Sequence, residues 1–226
     1  MKTRAIAILS MILWTVTSVL AANDETVTEK KSVGNFTEIS TTETFAGNIY
    51  FTQGDNLSVT VKGKRKNVDK LEVYTKNGKL VLNRIKEKKN DKTDKSMMVD
   101  IYVTAKDMKC VSLKGVGNIT VKEALDTDKL KVECDGVNNA TFKDIRCAAL
   151  SVCMRGVGNF NGKVQCEDAA IYMEGVCNGT LDVQCRNLKA NLTGVGNLTL
   201  KGKAQSSSIQ KEGIGHINRK GFECGK

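Results

Sequence analysis

Six short glycine turns recur through the second half of the chain. Gly115-Val116-Gly117-Asn118 returns as Gly136-Val137-Asn138-Asn139 and as Gly156-Val157-Gly158-Asn159. Gly175-Val176-Cys177-Asn178, Gly194-Val195-Gly196-Asn197 and Gly213-Ile214-Gly215-His216 complete the series. Successive first glycines are 21, 20, 19, 19 and 19 residues apart. A fixed period of this length is the mark of stacked supersecondary units.

The flanks of each turn alternate. Leu130, Val132 and Cys134 precede one turn, and Leu150, Val152 and Met154 the next. Ala169, Ile171 and Met173, then Leu188, Ala190 and Leu192, hold the same places in later units. Alternation resumes after the turns with Ile119 and Val121, Leu181 and Val183, and Leu198 and Leu200. Period two means strands with one buried face. Such a unit cannot bury that face alone, so the units stack into an all-β solenoid of about six coils, a parallel β-helix. A β-sandwich is the competing architecture, but sandwich strands seldom share one motif in one register.

Each sharp corner needs positive φ or close backbone approach, which glycine supplies most cheaply. The structural turns are therefore Gly115, Gly117, Gly136, Gly156, Gly158, Gly175, Gly194, Gly196, Gly213 and Gly215. The residue between the glycines, Val116 in the first turn and Ile214 in the last, is expected to point inward as an apolar column. Asn118, Asn139, Asn159, Asn178 and Asn197 are expected to form a ladder, each amide bonding its neighbours above and below. His216, the single histidine, ends that column and reads as a substitute for the ladder Asn.

The repeats, together with the N-terminal half, resemble the head GIN domain of auto-transporter adhesins, a family formerly described as a domain of unknown function. Phe36, Ile39, Phe45, Ile49, Phe51, Gln53-Gly54 and the run from Leu57 to Val61 look like its opening strands. Leu71 to Leu82, turning at Asn77-Gly78, is similar to its next hairpin, and Met98 to Val103 with Met108 to Leu113 leads into the repeats. The resemblance spans about residues 33 to 221. It implies a right-handed parallel β-helix, like pectin lyases in architecture without their catalytic residues. It also implies an extracytoplasmic protein of Bacteroidetes-type bacteria with an adhesive role. The chain stops at Lys226, so no translocating barrel is expected after the repeats.

Ahead of the repeats, Lys2 and Arg4 precede an apolar stretch from Ala5 to Leu20 that closes on Ala21 and Ala22. This order predicts a signal peptide over 1–22 and export to the periplasm, the outer-membrane surface or the medium. No transmembrane segment is expected after cleavage. Residues 23–32 are expected to be disordered, 33–221 to form the solenoid and 222–226 to be a tail carrying Cys224, and the loop from Lys86 to Lys95 is expected to be mobile. The formal charge of +10 falls to +8 once Lys2 and Arg4 are removed. With aromatics at 5%, there is no set of stacking platforms, and nucleic acid is not an expected partner.

Three patterns in the chain could carry chemistry. The Gly-x-Gly units are followed by strands, which excludes a dinucleotide fingerprint. Carbohydrate cleavage would draw on Glu133, Asp135, Glu174, Glu212 and Arg155 beside the turns, which read instead as a mixed solvated face. Eight cysteines include Cys147, Cys166 and Cys185 at intervals of 19 and 19, a vertical column of small apolar thiols in which one bridge fits geometrically. With one histidine and no Cys-x-x-Cys, a zinc site is not expected. The reading is a non-enzymatic exported binding protein without cofactor, catalytic residue or metal. Its partner is a host or envelope glycan or protein, and the oligomeric state stays open. A periplasmic scaffold or envelope-stress sensor is the alternative, and a polysaccharide lyase or hydrolase the third reading.

Overall fold

The computed structural model describes residues 25–85 and 97–225. The segment expected to be a signal peptide (1–22) and the Lys86 to Lys95 loop lie outside the described residues. The strands are β1 (Thr26–Lys31), β2 (Glu38–Thr41), β3 (Ala46–Gln53), β4 (Ser58–Lys64), β5 (Leu71–Lys76) and β6 (Lys79–Arg84). Then follow β7 (Val99–Ala105), β8 (Cys110–Asp126), β9 (Lys129–Arg146), β10 (Ala149–Gln165), β11 (Asp168–Asn218) and β12 (Phe222–Cys224). A single helical turn, α1 (Arg65–Val68), links β4 to β5.

The repeats form a β-solenoid. β8, β9, β10 and β11 pair in parallel, with Gly115 beside Gly136, Gly136 beside Gly156 and Gly156 beside Gly175. β11 is long because three coils run on without a break, its Gly194 corner stacking on Gly175 and its Gly213 corner on Gly194. The first glycine of each corner requires its missing side chain. Gly156 has φ 104°, and a Cβ there would run into the Gly136 carbonyl oxygen. The second position is more varied. It carries Gly117, Asn138, Gly158, Cys177, Gly196 and Gly215 in turn, and points into the corner. Asn138 sits between two glycine coils, and so does Cys177; a Cβ on Gly158 or Gly196 would run into the carbonyl oxygen of Asn138 or Cys177 one coil below.

The middle residue of each turn corrects the expectation. Val116, Val137, Val157, Val176 and Val195 are 47–50% exposed and Ile214 is 78% exposed. They face solvent because the in–out alternation runs through the corner unbroken. In the fifth repeat Leu192, Gly196 and Leu198 are buried while Thr193, Val195 and Asn197 are exposed.

The core is one continuous apolar column. It runs from Val59, Val61 and Ile101 through Ile49, Ile119 and Phe160 to Leu198, Leu200 and Ala204. Phe142 and Phe160 of successive coils meet at 5.9 Å between ring centroids.

The N-terminal half builds one further coil and a cap. β2 and β3 pair in parallel with β8, so residues 38–53 lie one coil below the first glycine turn. β3 also pairs with β7, again in parallel. β4 then pairs antiparallel with β7, and β1 antiparallel with β4. The expected disorder of residues 23–32 is thus corrected for Thr26–Lys31, which form β1 in register with all of Val59–Lys64. Val27 supplies the buried contact that holds that strand. At the other end, Phe222–Cys224 is no tail but a strand on Gly202–Ala204. The β5–β6 hairpin turns at Asn77 (φ 51°) and Gly78 (φ 72°), the primed-turn chemistry of an Asn-Gly pair.

Candidate functional site

On the strand that leads into each glycine corner, two outward columns border a groove. One column stacks Lys129, Ala149, Asp168, Asn187 and Ser206, and the other Lys131, Ser151, Ala170, Lys189 and Ser208. The floor between them is made by Leu130, Leu150, Ala169 and Leu188, the buried residues of the same strands. Outward positions usually carry long side chains. Here alanine and serine leave a trough of about 690 Å³ across five coils. At a strand spacing of about 4.8 Å it is roughly 19 Å long.

The trough is basic. Lys109, Lys129, Lys131 and Lys189 line it against Asp168 alone, four positive charges and one negative, or +3. Lys131 is held by Glu133 at 2.8 Å, and this hydrogen bond keeps its ammonium above the ordinary lysine value. Lys189 lies 5.6 Å from the centre of the Tyr172 ring, a cation–π contact that steers it along the wall. Asn187 donates to Asp168 at 2.7 Å, so the single acid in the trough is already engaged. A line of ammonium groups, amides and hydroxyls over an aliphatic floor can bind an extended anionic polymer. It offers no paired acid and base.

A second concavity of about 660 Å³ lies beside Thr41, Thr44, Arg84 and Lys114. Its hydroxyls are engaged in structure: Thr41 Oγ1 donates to the Lys114 carbonyl at 2.8 Å and Thr44 Oγ1 to the Arg84 carbonyl at 2.7 Å.

The asparagines named from sequence stand one above another. Asn139 Nδ2 donates to Asn118 Oδ1 at 2.7 Å, and Asn159 Nδ2 to Asn139 Oδ1 at 2.6 Å. Asn197 reaches Asn178 Oδ1 through its backbone N–H at 3.0 Å. Sequence reasoning missed the lower rungs. Asn118 Nδ2 donates to Asn48 at 2.8 Å, and Asn48 Nδ2 donates to the Asp100 carboxylate at 2.8 Å. The amides from Asn159 down to Asn48 therefore point the same way and end on a charged acceptor. Buried among the corners, Asn138 is 1% exposed and its amide takes no protein hydrogen bond.

The carboxylates weighed for catalysis form an exposed column with a cation inside it. Asp135, Arg155 and Glu174 are register neighbours, and Arg155 lies 4.0 Å from Asp135. Both partners are at least half exposed, so the pair is worth at most about 1 kcal/mol. Glu133 is paired to Lys131, one column away. Glu212 lies on the last coil. Among the described residues no three His, Cys, Asp or Glu side chains are placed to hold a metal ion. No helix among them is long and apolar enough to cross a membrane. The signal for the trough was present as small residues at outward positions. It became readable only once the register set Ala149 beside Lys129 and Ala170 beside Ser151.

Solved structures of similar proteins include one that shares the architecture over most of the chain. A putative adhesin from Bacteroides fragilis is 26% identical, covers 87% of this chain and 98% of its own, and superimposes with a TM-score of 0.70. A putative lipid binding protein from Parabacteroides distasonis, at 13% identity, covers the same shares, with a TM-score of 0.48. A putative adhesin from Parabacteroides merdae, at 15% identity, covers 91% and 98%, with a TM-score of 0.45. No curated protein matches the chain. Residues 35–175 match the sequence family described as putative auto-transporter adhesin, head GIN domain. That match takes in the N-terminal coil and the first three glycine corners, ending at Gly175 where the fourth begins, and the chain belongs to the head GIN domain family.

Proposed function

We propose that this protein is a non-catalytic, exported binding module that attaches to an acidic glycan laid along the trough, parallel to the solenoid axis. The observation that carries the reading is the lysine-bordered, small-residue trough across five coils. Membership of an adhesin family supports attachment as the purpose. The trough runs across successive coils, which suits a linear polymer laid along their axis. The lysines pair with carboxylate or sulfate groups, while Asn187, Ser151 and Ser208 meet hydroxyls. The exposed Asp135–Arg155–Glu174 column is a solvated face rather than reacting machinery.

The test is a polysaccharide array probed with the mature chain. Acidic polymers are expected to bind and neutral ones of the same length to bind poorly, with affinity falling as salt rises. The double variant Lys131→Glu, Lys189→Glu is expected to lose at least roughly tenfold in affinity. Ala170→Trp, which fills the trough from a solvent-facing position, should block binding without lowering the melting temperature. Equal binding of neutral and acidic polymers, unaffected by either variant, overturns the reading. So does cleavage of a polymer that disappears in Glu174→Gln. Protease accessibility on intact cells separates surface attachment from a periplasmic role.

A further inference from the structure

At the corner opposite the glycine turns, two residues before Ala149, Asp168 and Asn187, three cysteines stack. Continuing the β10–β11 register by two residues sets Cys147 beside Cys166, and the next interval of 19 sets Cys185 above them. The corner backbone repeats as well: Cys147 N–H donates to the Gln165 carbonyl at 3.1 Å and Cys166 N–H to the Gln184 carbonyl at 3.0 Å. Each thiol is half-buried rather than sealed in the core. Cys166 interacts with both neighbours. The column is bounded by Thr127 one coil below and by Ala204 one coil above, so these three sulfurs have no fourth in contact.

We propose that Cys147, Cys166 and Cys185 form a thiol–disulfide exchange site, in which a bridge from Cys166 to one neighbour leaves the other as a free thiol and can shift by one coil. Neighbouring Cα atoms about 4.8 Å apart lie within the range of a bridge. Cys147 and Cys185 are two spacings apart, about 9.6 Å, and cannot join without moving the backbone. An odd number of thiols in line therefore always leaves a nucleophile beside a disulfide. Aligned Cβ atoms of parallel neighbours stand near the strand spacing, wider than the ~3.8 Å of a relaxed bridge, which favours exchange over permanent closure. Contact with Cys166 holds the outer two thiols below the ordinary cysteine value, while that contact and burial push Cys166 up. Because a bridge from the middle Cys166 always leaves one outer thiol over, the outer thiols are the attacking groups.

The substrate class is a small-molecule or peptide disulfide. The Cys147 thiolate attacks one sulfur, the S–S bond of the substrate breaks, and one thiolate leaves and takes a proton. Cys166 gives up its proton and attacks Cys147 Sγ, forming the Cys147–Cys166 bond and releasing the second thiol. Two protein thiols are oxidised and one disulfide is reduced to two thiols. The Cys185 thiolate can then attack Cys166 Sγ, which moves the bridge to Cys166–Cys185 and returns Cys147 as a thiolate, with no net change in oxidation state.

The experiment exposes the purified native chain to oxidised glutathione, traps free thiols with N-ethylmaleimide, and maps peptides after cleavage at Lys, Arg and Glu. Cleavage after Glu167 separates Cys166 from Cys185 and cleavage after Lys163 separates it from Cys147, while fragmentation of the peptides distinguishes Cys147 from Cys153 and Cys185 from Cys177. Both bridges are expected in one sample, with Cys166 labelling lost and the remaining label shared between Cys147 and Cys185. In Cys166→Ser, both outer cysteines should carry glutathione and no bridge should form in the column. Cys147→Ser should retain Cys166–Cys185, which keeps the test valid if one variant folds poorly. A Cys147–Cys185 bridge in Cys166→Ser overturns the proposal. So does a column no more reactive than Cys110, or a single fixed pairing that never shifts.

Discussion

The two ends of this solenoid are built differently. At the N-terminal end the chain abandons parallel stacking. β4 crosses β7 antiparallel, β1 covers β4, and Val59, Val61, Ile101 and Val103 are sealed beneath them at 0–1% exposure. At the C-terminal end, among the described residues, only β12 lies on the last coil, over Gly202–Ala204, and most residues from Gln205 to Asn218 are exposed. An uncovered coil edge is a row of unpaired backbone groups. The molecule therefore has one end that must unfold with the whole and one that can open by itself.

The contrast breaks most visibly at a corner. Gly156→Val combines a strained φ with a clash against the Gly136 carbonyl, and is expected to cost about 4 kcal/mol. Gly213→Val makes the same clash in the terminal coil and should cost roughly 1 kcal/mol, because that coil can detach first. Lys163→Ala, on an exposed strand position, should stay within about 0.5 kcal/mol. Denaturant melts of the three variants check the order, and equal midpoints for the two glycine variants remove the distinction between the ends.

A smaller effect comes from truncating the core near each end. Ile101→Ala, beneath the cap, should cost about 3 kcal/mol, and Ile217→Ala, in the last coil, about 0.5 kcal/mol. Hydrogen exchange should show the same gradient, with amides of 205–218 exchanging well before those of β4 and β7.

The asparagine ladder sharpens the comparison further, since it is anchored at one end only. Asn48→Ala removes a rung that both donates to Asp100 and accepts from Asn118, and should cost about 2 kcal/mol. Asn197→Ala, near the open end, should cost under about 1 kcal/mol. Thermal melts decide it, and equal losses would show the anchor to be irrelevant.

One change runs in the opposite direction. Asn138→Ala removes a buried amide that has no protein partner, and is expected to raise stability by about 1 kcal/mol. A loss of similar size would mean that the amide is satisfied in solution.

How much of this was legible beforehand differs by feature. The hairpin at Asn77-Gly78 and the stacking of six corners follow from local chemistry, because turn type and period are written in neighbouring residues. The valine column was misread from its apolar character, although strand parity already placed it outside. With Leu192 and Leu198 buried, every second residue between them faces inward, and Val195 is not among those. β1 was missed because its polar, alternating residues acquire a fold only when β4, with partners 28 to 38 residues away, offers an edge.

By itself the sequence determined the period, the alternation and the corners, hence a stacked all-β coil. Tertiary structure alone decided which coil lies on which. That pairing put Asn48 under Asn118, opened a trough where small outward residues meet, and brought Cys166 against two other thiols. The physical reason is distance along the chain: alternation and turn chemistry act over a few residues, whereas a column is made of groups about nineteen apart that meet only after every corner has closed.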